Sequence, residues 1–193
     1  ASPDIHNAAI KALGTDAVYV KFLVEDIHSF MDCFRNFGWE GLSVTIPHKT
    51  EVMRCVDEID DISRKAGAVN TVFREGSRLK GTNTDIRAAV DRLSRLAGGL
   101  KGKRVTVLGA GGAARGICFG LKQEHARIRI VNRTLSRAER LAEEIGCDWT
   151  GYDGFTGDDC DVLINTTPVG MYPDVEGMVV SSDVIKPSMI VFD

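Results

Sequence analysis

The sequence predicts an α/β fold in two parts, and three observations predict it. Short apolar runs of strand length alternate with segments whose apolar residues recur every three or four positions, the helical period. One alternation carries the glycine-rich turn Gly109-Ala110-Gly111-Gly112-Ala113-Ala114 between an apolar run and a helical segment. A second glycine-rich stretch, Gly98-Gly99-Leu100-Lys101-Gly102, breaks the chain and sets the expected domain boundary, giving parts 1–98 and 99–193.

The elements follow in order. A helix is expected over 3–13, a strand over 17–24, a helix over 27–37 and a strand over 42–46. Pro47 suits the first turn of a third helix, which would carry Val52, Met53 and Val56. Residues 59–66 read as another helical turn or two, and 68–74 with 78–81 as a β-hairpin across Glu75-Gly76-Ser77. A helix over 84–96 places Ile86, Ala89, Val90, Leu93 and Leu96 on one face. Beyond the break come a strand ending at Leu108, a helix from near Gly112 and a strand over 126–131. A helix over 136–145, a short strand at 148–150, a strand over 162–165 and a last strand over 189–192 complete the series. Such alternation predicts parallel, doubly wound sheets in both parts, with the glycine break as a hinge between them.

With 193 residues and 44% hydrophobic content, the chain can bury a proper core. Its net charge of −3 points to no nucleic acid or membrane partner, although 101–140 is basic, as suits a phosphate-bearing ligand. No apolar run approaches the roughly 18 residues of a membrane span, and no signal peptide is expected. The five cysteines (33, 55, 118, 147 and 160) form no C-x-x-C pair, so reduced, mostly buried thiols in a cytoplasmic protein are expected. His6, His28, His48 and His125 show no metal spacing, and no metal is expected. Both ends read as interior to a longer polypeptide: Ala1-Ser2-Pro3 resembles the middle of a motif, and 190–193 ends on what should be a buried strand.

Gly109, Gly111 and Ala114 fit the spacing of a dinucleotide-binding turn. Gly109 allows the tight turn, Gly111 lets backbone approach a pyrophosphate, and Ala114 lets helix pack on strand. Free N–H groups at the helix start favour the anion, with Gly112 and Ala113 in that first turn. Sites for NAD place Asp or Glu about 20 residues further on. Here Asn132, Arg133 and Thr134 follow the second strand, with Arg137 one turn on. Guanidinium groups there can grip a 2′-phosphate, which selects NADP(H).

In the first part, three segments place polar groups where strands meet turns: Ser43-Val44-Thr45-Ile46-Pro47-His48-Lys49, Gly67-Ala68-Val69-Asn70-Thr71 and Gly81-Thr82-Asn83-Thr84-Asp85. Ligands in open α/β sheets bind beyond strand carboxyl ends, so the three can converge on one crevice facing the cofactor. Taken alone, each group has a plainer reading. Lys49 fits a solvated first-turn residue, Asn70 a turn residue, Asp85 a cap of the following helix, and Ser2 before Pro3 a helix start.

Taken together, LSVTIPHK, GAVNT, GTNTD, GAGGAARG, NRT and INTTPVGM, in that order, resemble the shikimate dehydrogenase family over nearly the whole chain. The resemblance implies two α/β domains, a substrate domain and a Rossmann-like NADP-binding domain, that reversibly reduce 3-dehydroshikimate to shikimate with NADPH. It implies Lys49 and Asp85 as the catalytic pair, and Ser2, Thr45, Asn70 and Asp85 as substrate-binding residues. Gly109, Ala110, Gly111, Gly112, Ala113, Asn132, Arg133, Thr134, Arg137, Thr166 and Met171 would bind the cofactor. A serine that the family carries two positions before Ser2, and contacts beyond Asp193, lie outside this sequence. A quinate/shikimate dehydrogenase able to use NAD, and a catalytically silent NADP-binding module, share these motifs. Fusion to other domains of the pathway and homodimer formation both stay open. The chemistry suits the residue types: Lys49 can donate to a ketone oxygen or accept from the alcohol, Asp85 can orient it, and either can move the proton.

Overall fold

The computed structural model describes residues 2–173 and 175–193, which fall into two compact units, 1–38 and 39–193. The first unit holds helix α1 (Ser2–Ala12) and helix α2 (Ile27–Asn36). Asp26 caps α2 by accepting from the N–H groups of His28 and Ser29. The strand expected over 17–24 does not form. Tyr19 instead donates its N–H to Asn7 Oδ1 (2.7 Å) and accepts from Asn7 Nδ2 (2.9 Å). An asparagine side chain thus takes the bonds a neighbouring strand would make, and Val18, Val20, Phe22 and Leu23 stay exposed.

The second unit contains two sheets. The first has strands β1 (Gly41–Ser43), β2 (Glu58–Ile59), β3 (Thr71–Glu75) and β4 (Arg78–Thr82), in the order β1-β3-β4-β2. The parallel arrangement expected here is wrong. β1–β3 and β3–β4 are antiparallel and only β2–β4 is parallel, because β3 and β4 form the hairpin legible at 75–77. The helix expected from Pro47 is also absent. The Lys49 carbonyl, which an α-helix would pair four residues on, accepts from Val69 N–H at 2.8 Å. Residues 46–50 therefore form turns, β1 stops at Ser43, and only a short 3₁₀ turn (Glu51–Cys55) follows.

Helix α3 (Asp61–Ala66) packs beside this sheet, helix α4 (Thr84–Ala97) follows β4, and Gly98 caps α4 in the left-handed conformation. The second sheet is parallel throughout: β5 (Arg104–Leu108), β6 (Arg127–Val131), β7 (Asp148–Thr150), β8 (Val162–Asn165) and β9 (Ile190–Phe192), in the order β7-β6-β5-β8-β9. Helix α5 (Gly112–Gln123) joins β5 to β6, and helix α6 (Leu135–Ile145) joins β6 to β7. This is the doubly wound arrangement expected, with its switch point between β5 and β8.

The glycine break at 98–102 does not divide the packing. Val90 and Leu93 of α4 lie in the same buried core as Val105, Val107, Leu121 and Ile130. Gly112, Gly116 and Gly120 line one side of α5 at four-residue spacing. A Cβ would lie 3.3 Å from the Ala66 carbonyl oxygen at Gly112, 2.2 Å from Ile86 Cδ1 at Gly116 and 2.7 Å from Val90 Cγ2 at Gly120. α3 and α4 are therefore keyed into α5 by backbone-close contact. Cys118 and Cys160 are buried and Cys55 and Cys147 half-buried, whereas Cys33 is exposed on the face of α2 opposite Ile27, Met31 and Phe34.

Candidate active site

The first sheet's register builds one half of the site. Ser43 lies opposite Thr71, and Thr71 opposite Thr82. The turn after β1, the entry to β3 and the exit from β4 thus leave the sheet at one end. Two of these are strand carboxyl ends, as expected. Asn70 arrives from the amino end of β3, because β3 runs antiparallel to both neighbours.

Lys49 Nζ and Asp85 Oδ2 meet at 2.8 Å, with side chains 31% and 64% exposed. Both can therefore reach a ligand while bonded to each other. Asn70 is buried (8% exposed) and bonded at both ends of its side-chain amide. Its Oδ1 accepts from Thr84 N–H (2.9 Å) and Thr71 Oγ1 (2.9 Å), and its Nδ2 donates to Thr84 Oγ1 (3.1 Å). The Asn70 carbonyl accepts from Val44 N–H at 2.7 Å, which sets Thr45, exposed, beside it. Ser2 stands exposed at the start of α1, in the first unit.

The helix cap falls on Asn83, not Asp85. Asn83 Oδ1 accepts from Ile86 N–H at 3.2 Å, and this leaves the Asp85 carboxylate for Lys49. Sequence reading assigned no role to Asn83, Thr71 or Thr84. The available signal was an asparagine directly before the helical period, the favoured capping position.

The second half lies at the carboxyl ends of β5, β6 and β8, where Leu108 stands opposite both Val131 and Asn165. Gly109 leaves β5 at φ 113°, and a Cβ there would sit 2.5 Å from Thr166 Oγ1. Thr166 in turn donates its hydroxyl to the Leu108 carbonyl at 2.7 Å, locking turn and loop together. Only glycine fits this position. Gly111 is the N-cap of α5, with no side chain bonded to the helix start and open space where its Cβ would be. Ala113 follows Gly112 in the first turn of α5. Such a bare helix start, approached through glycine, fits a pyrophosphate.

Asn132 follows β6 directly and donates Nδ2 to the Thr134 carbonyl at 2.9 Å, shaping the loop. Arg133 and Arg137 are exposed beside it. Burial pushes the Tyr152 hydroxyl up, against the pull of the nearby Arg133 charge. A loop carrying two arginines and no carboxylate fits a 2′-phosphate. Met171, 64% exposed, lies in the loop after Thr166. A separate cavity of about 310 Å³ is lined by Glu58, Asp60, Lys80 and Arg87 at the β2–β4 edge and includes neither Lys49 nor Asp85. The polar side chains converge instead at the Lys49–Asp85 end.

A Rossmann-type turn and a lysine–carboxylate pair together define an α/β dehydrogenase of the nicotinamide-dependent class. Residues 1–72 match the shikimate dehydrogenase substrate binding domain, and residues 91–167 match the shikimate / quinate 5-dehydrogenase family. The chain belongs to the shikimate dehydrogenase family. It is 40% identical over 202 residues to a shikimate dehydrogenase (NADP(+)) of Caldanaerobacter subterraneus subsp. tengcongensis, covering 100% of this chain and 72% of that protein. It is 38% identical over 210 residues to the chloroplastic bifunctional 3-dehydroquinate dehydratase/shikimate dehydrogenase of Arabidopsis thaliana, covering 100% of this chain and 35% of that one. A crystal structure of a shikimate dehydrogenase in complex with NADP+ superposes with a TM-score of 0.87 at 39% identity, covering 98% of this chain and 70% of that one.

Proposed function

We propose that the protein to which this chain belongs is an NADP(H)-dependent oxidoreductase that reversibly reduces 3-dehydroshikimate to shikimate, a step of aromatic amino acid biosynthesis. The observation that carries the reading is the 2.8 Å contact between Lys49 Nζ and Asp85 Oδ2 beside the buried Asn70 amide. When bound, the nicotinamide supplies or accepts the hydride. Lys49 then donates the proton to the ketone oxygen, or takes it from the alcohol in the reverse direction. Asp85 orients the Lys49 ammonium and accepts from a substrate hydroxyl. Thr45, Asn70 and Ser2 hold the remaining oxygens of the substrate.

Gly109, Ala110, Gly111, Gly112 and Ala113 hold the pyrophosphate, and Asn132, Arg133, Thr134 and Arg137 the adenosine 2′-phosphate. Thr166 and Met171 would complete the cofactor-binding set. The division of labour follows the glycine break: groups up to residue 98 meet substrate, and groups from 99 on meet cofactor. The protein works in the cytoplasm, as its reduced thiols suit, either as a homodimer or fused to further domains of the pathway. Among the described residues, no helix is long and apolar enough to cross a membrane.

The test is a spectrophotometric assay of the full chain at 340 nm with shikimate and NADP+, with quinate and NAD+ as comparators. Turnover of shikimate with NADP+, at a higher kcat/KM than either comparator gives, supports the reading. Higher kcat/KM for quinate with NAD+ would replace it with the quinate dehydrogenase reading. NADP+ binding with no turnover of either substrate would leave a silent binding module.

A further inference from the structure

We infer that Asn83 is a positioning residue that sets the Lys49–Asp85 contact from both sides. The inference rests on the proposed reaction. Asn83 is buried (7% exposed) and uses both ends of its side-chain amide. Its Oδ1 accepts from Ile86 N–H (3.2 Å), the residue next to Asp85, and so fixes the first turn of α4. Its Nδ2 donates to the Ala68 carbonyl at 3.1 Å. The next residue, Val69, donates its N–H to the Lys49 carbonyl at 2.8 Å. A single planar amide therefore ties the backbone carrying the carboxylate to the backbone holding the lysine.

The lysine needs such a tie. It sits in a run of turns between β1 and a 3₁₀ segment, with no regular helix beneath it. Asn70 joins the same loop to Thr84 through its side chain, and Asn83 adds a second tie through Ala68, so the short Asp85 side chain is kept level with the lysine by two buried amides. A carboxylate–ammonium contact weakens steeply once the atoms leave hydrogen-bond distance. Misplacement of a catalytic group by about 1 Å can cost on the order of 10²-fold in rate. Asn83 touches neither the lysine nor the carboxylate, so its effect on the reaction passes through them.

The test uses Asn83→Ser in the full chain. Serine is as good a helix cap as asparagine, so Ile86 keeps a partner, but the donor to Ala68 is lost. We expect kcat to fall about ten- to hundred-fold while KM for shikimate and NADP+ stays within about two-fold, the signature of lost transition-state positioning. Added to Asp85→Asn, the same change should lower kcat by less than about three-fold further, because groups acting as one unit are not additive. A kcat within two-fold of wild type, or full multiplicative loss in the Asp85→Asn background, overturns the proposal. Asn83→Thr keeps a cap by the same logic and replaces the serine variant if that does not fold. If neither folds, Asn83 is only a structural clamp and the proposal falls. A wild-type chain inactive on shikimate sinks the proposed function itself, whereas an active wild type with an unaffected Asn83→Ser sinks this inference alone.

Discussion

The turn cluster around Lys49 and the loops around Gly109 meet their tasks in opposite ways. At the first, side chains do the positioning: Asn70 and Asn83 are buried and bonded at both ends of their amides, and Lys49 is already joined to Asp85. At the second, backbone does it: a glycine at φ 113°, an uncapped helix start and a loop whose arginines stand in solvent. On the proposed reaction, the difference follows the work. A proton must pass between atoms held to a few tenths of an ångström, so its donor needs a rigid frame. A multiply charged phosphate is gripped by any arrangement that brings N–H groups and positive charge near, so long side chains can close on it from water.

The comparison breaks most sharply at Lys49. Lys49→Ala should lower kcat by about 10²–10⁴, with little change in NADP+ affinity, as expected for a proton-transfer group. A fall below about five-fold by steady-state kinetics would pass that role to Asp85. At the other region, Arg133→Ala should weaken NADP+ binding roughly ten- to hundred-fold and leave NAD+ binding nearly unchanged, since a charge-assisted bond contributes about 1.5–3 kcal/mol. Calorimetry decides it, and equal loss for both cofactors would make the arginine structural.

Between the two regions lies the helix contact. Gly116→Val should cost about 1–3 kcal/mol in thermal unfolding, the usual penalty of overpacking, because the first added carbon already meets Ile86 Cδ1 at 2.2 Å. An unchanged unfolding midpoint would mean the two helices can part freely. Asp161 gives the smallest effect and serves as a control remote from both regions. It accepts from the Arg104 side chain (2.7 Å) and the Arg104 N–H (2.8 Å), which hold its carboxyl down at about 2. A lowered carboxylate value stabilises the fold above the unfolded value near 3.8, and that stability is lost as pH falls towards 2. Solvent screening reduces the contribution to about 1 kcal/mol, so Asp161→Asn should lower the midpoint at pH 7 by roughly 2–4 °C and leave kcat unchanged. The two midpoints should converge as the pH approaches 2, and a constant gap down to that pH would refute the assignment.

The nucleotide half was legible nearly element by element, because its strands centre on buried β-branched and leucine residues and the turn between β5 and α5 has few chemical solutions. The first half was harder to read. Residues 17–24 have strand composition, yet a side chain, Asn7, takes the bonds of Tyr19. Pro47 has helix-start chemistry, yet Val69 takes the Lys49 carbonyl. Both outcomes depend on partners distant in sequence, which local periodicity does not encode. The site residues were recognisable as a set of motifs, while the cap on Asn83 needed the geometry to separate it from Asp85.

The glycines at 112, 116 and 120 bear on how this chain can be divided. Cutting at the flexible stretch 98–102 looks natural, but a piece beginning there would lose Val90 and Leu93 from its core and bare the channel along α5 that Ile86 and Val90 fill. Recombining such a piece with another substrate half would require the incoming helix to offer the same two apolar teeth at four-residue spacing. The natural unit of exchange is therefore the nucleotide half together with α4, and Asp85 travels with it.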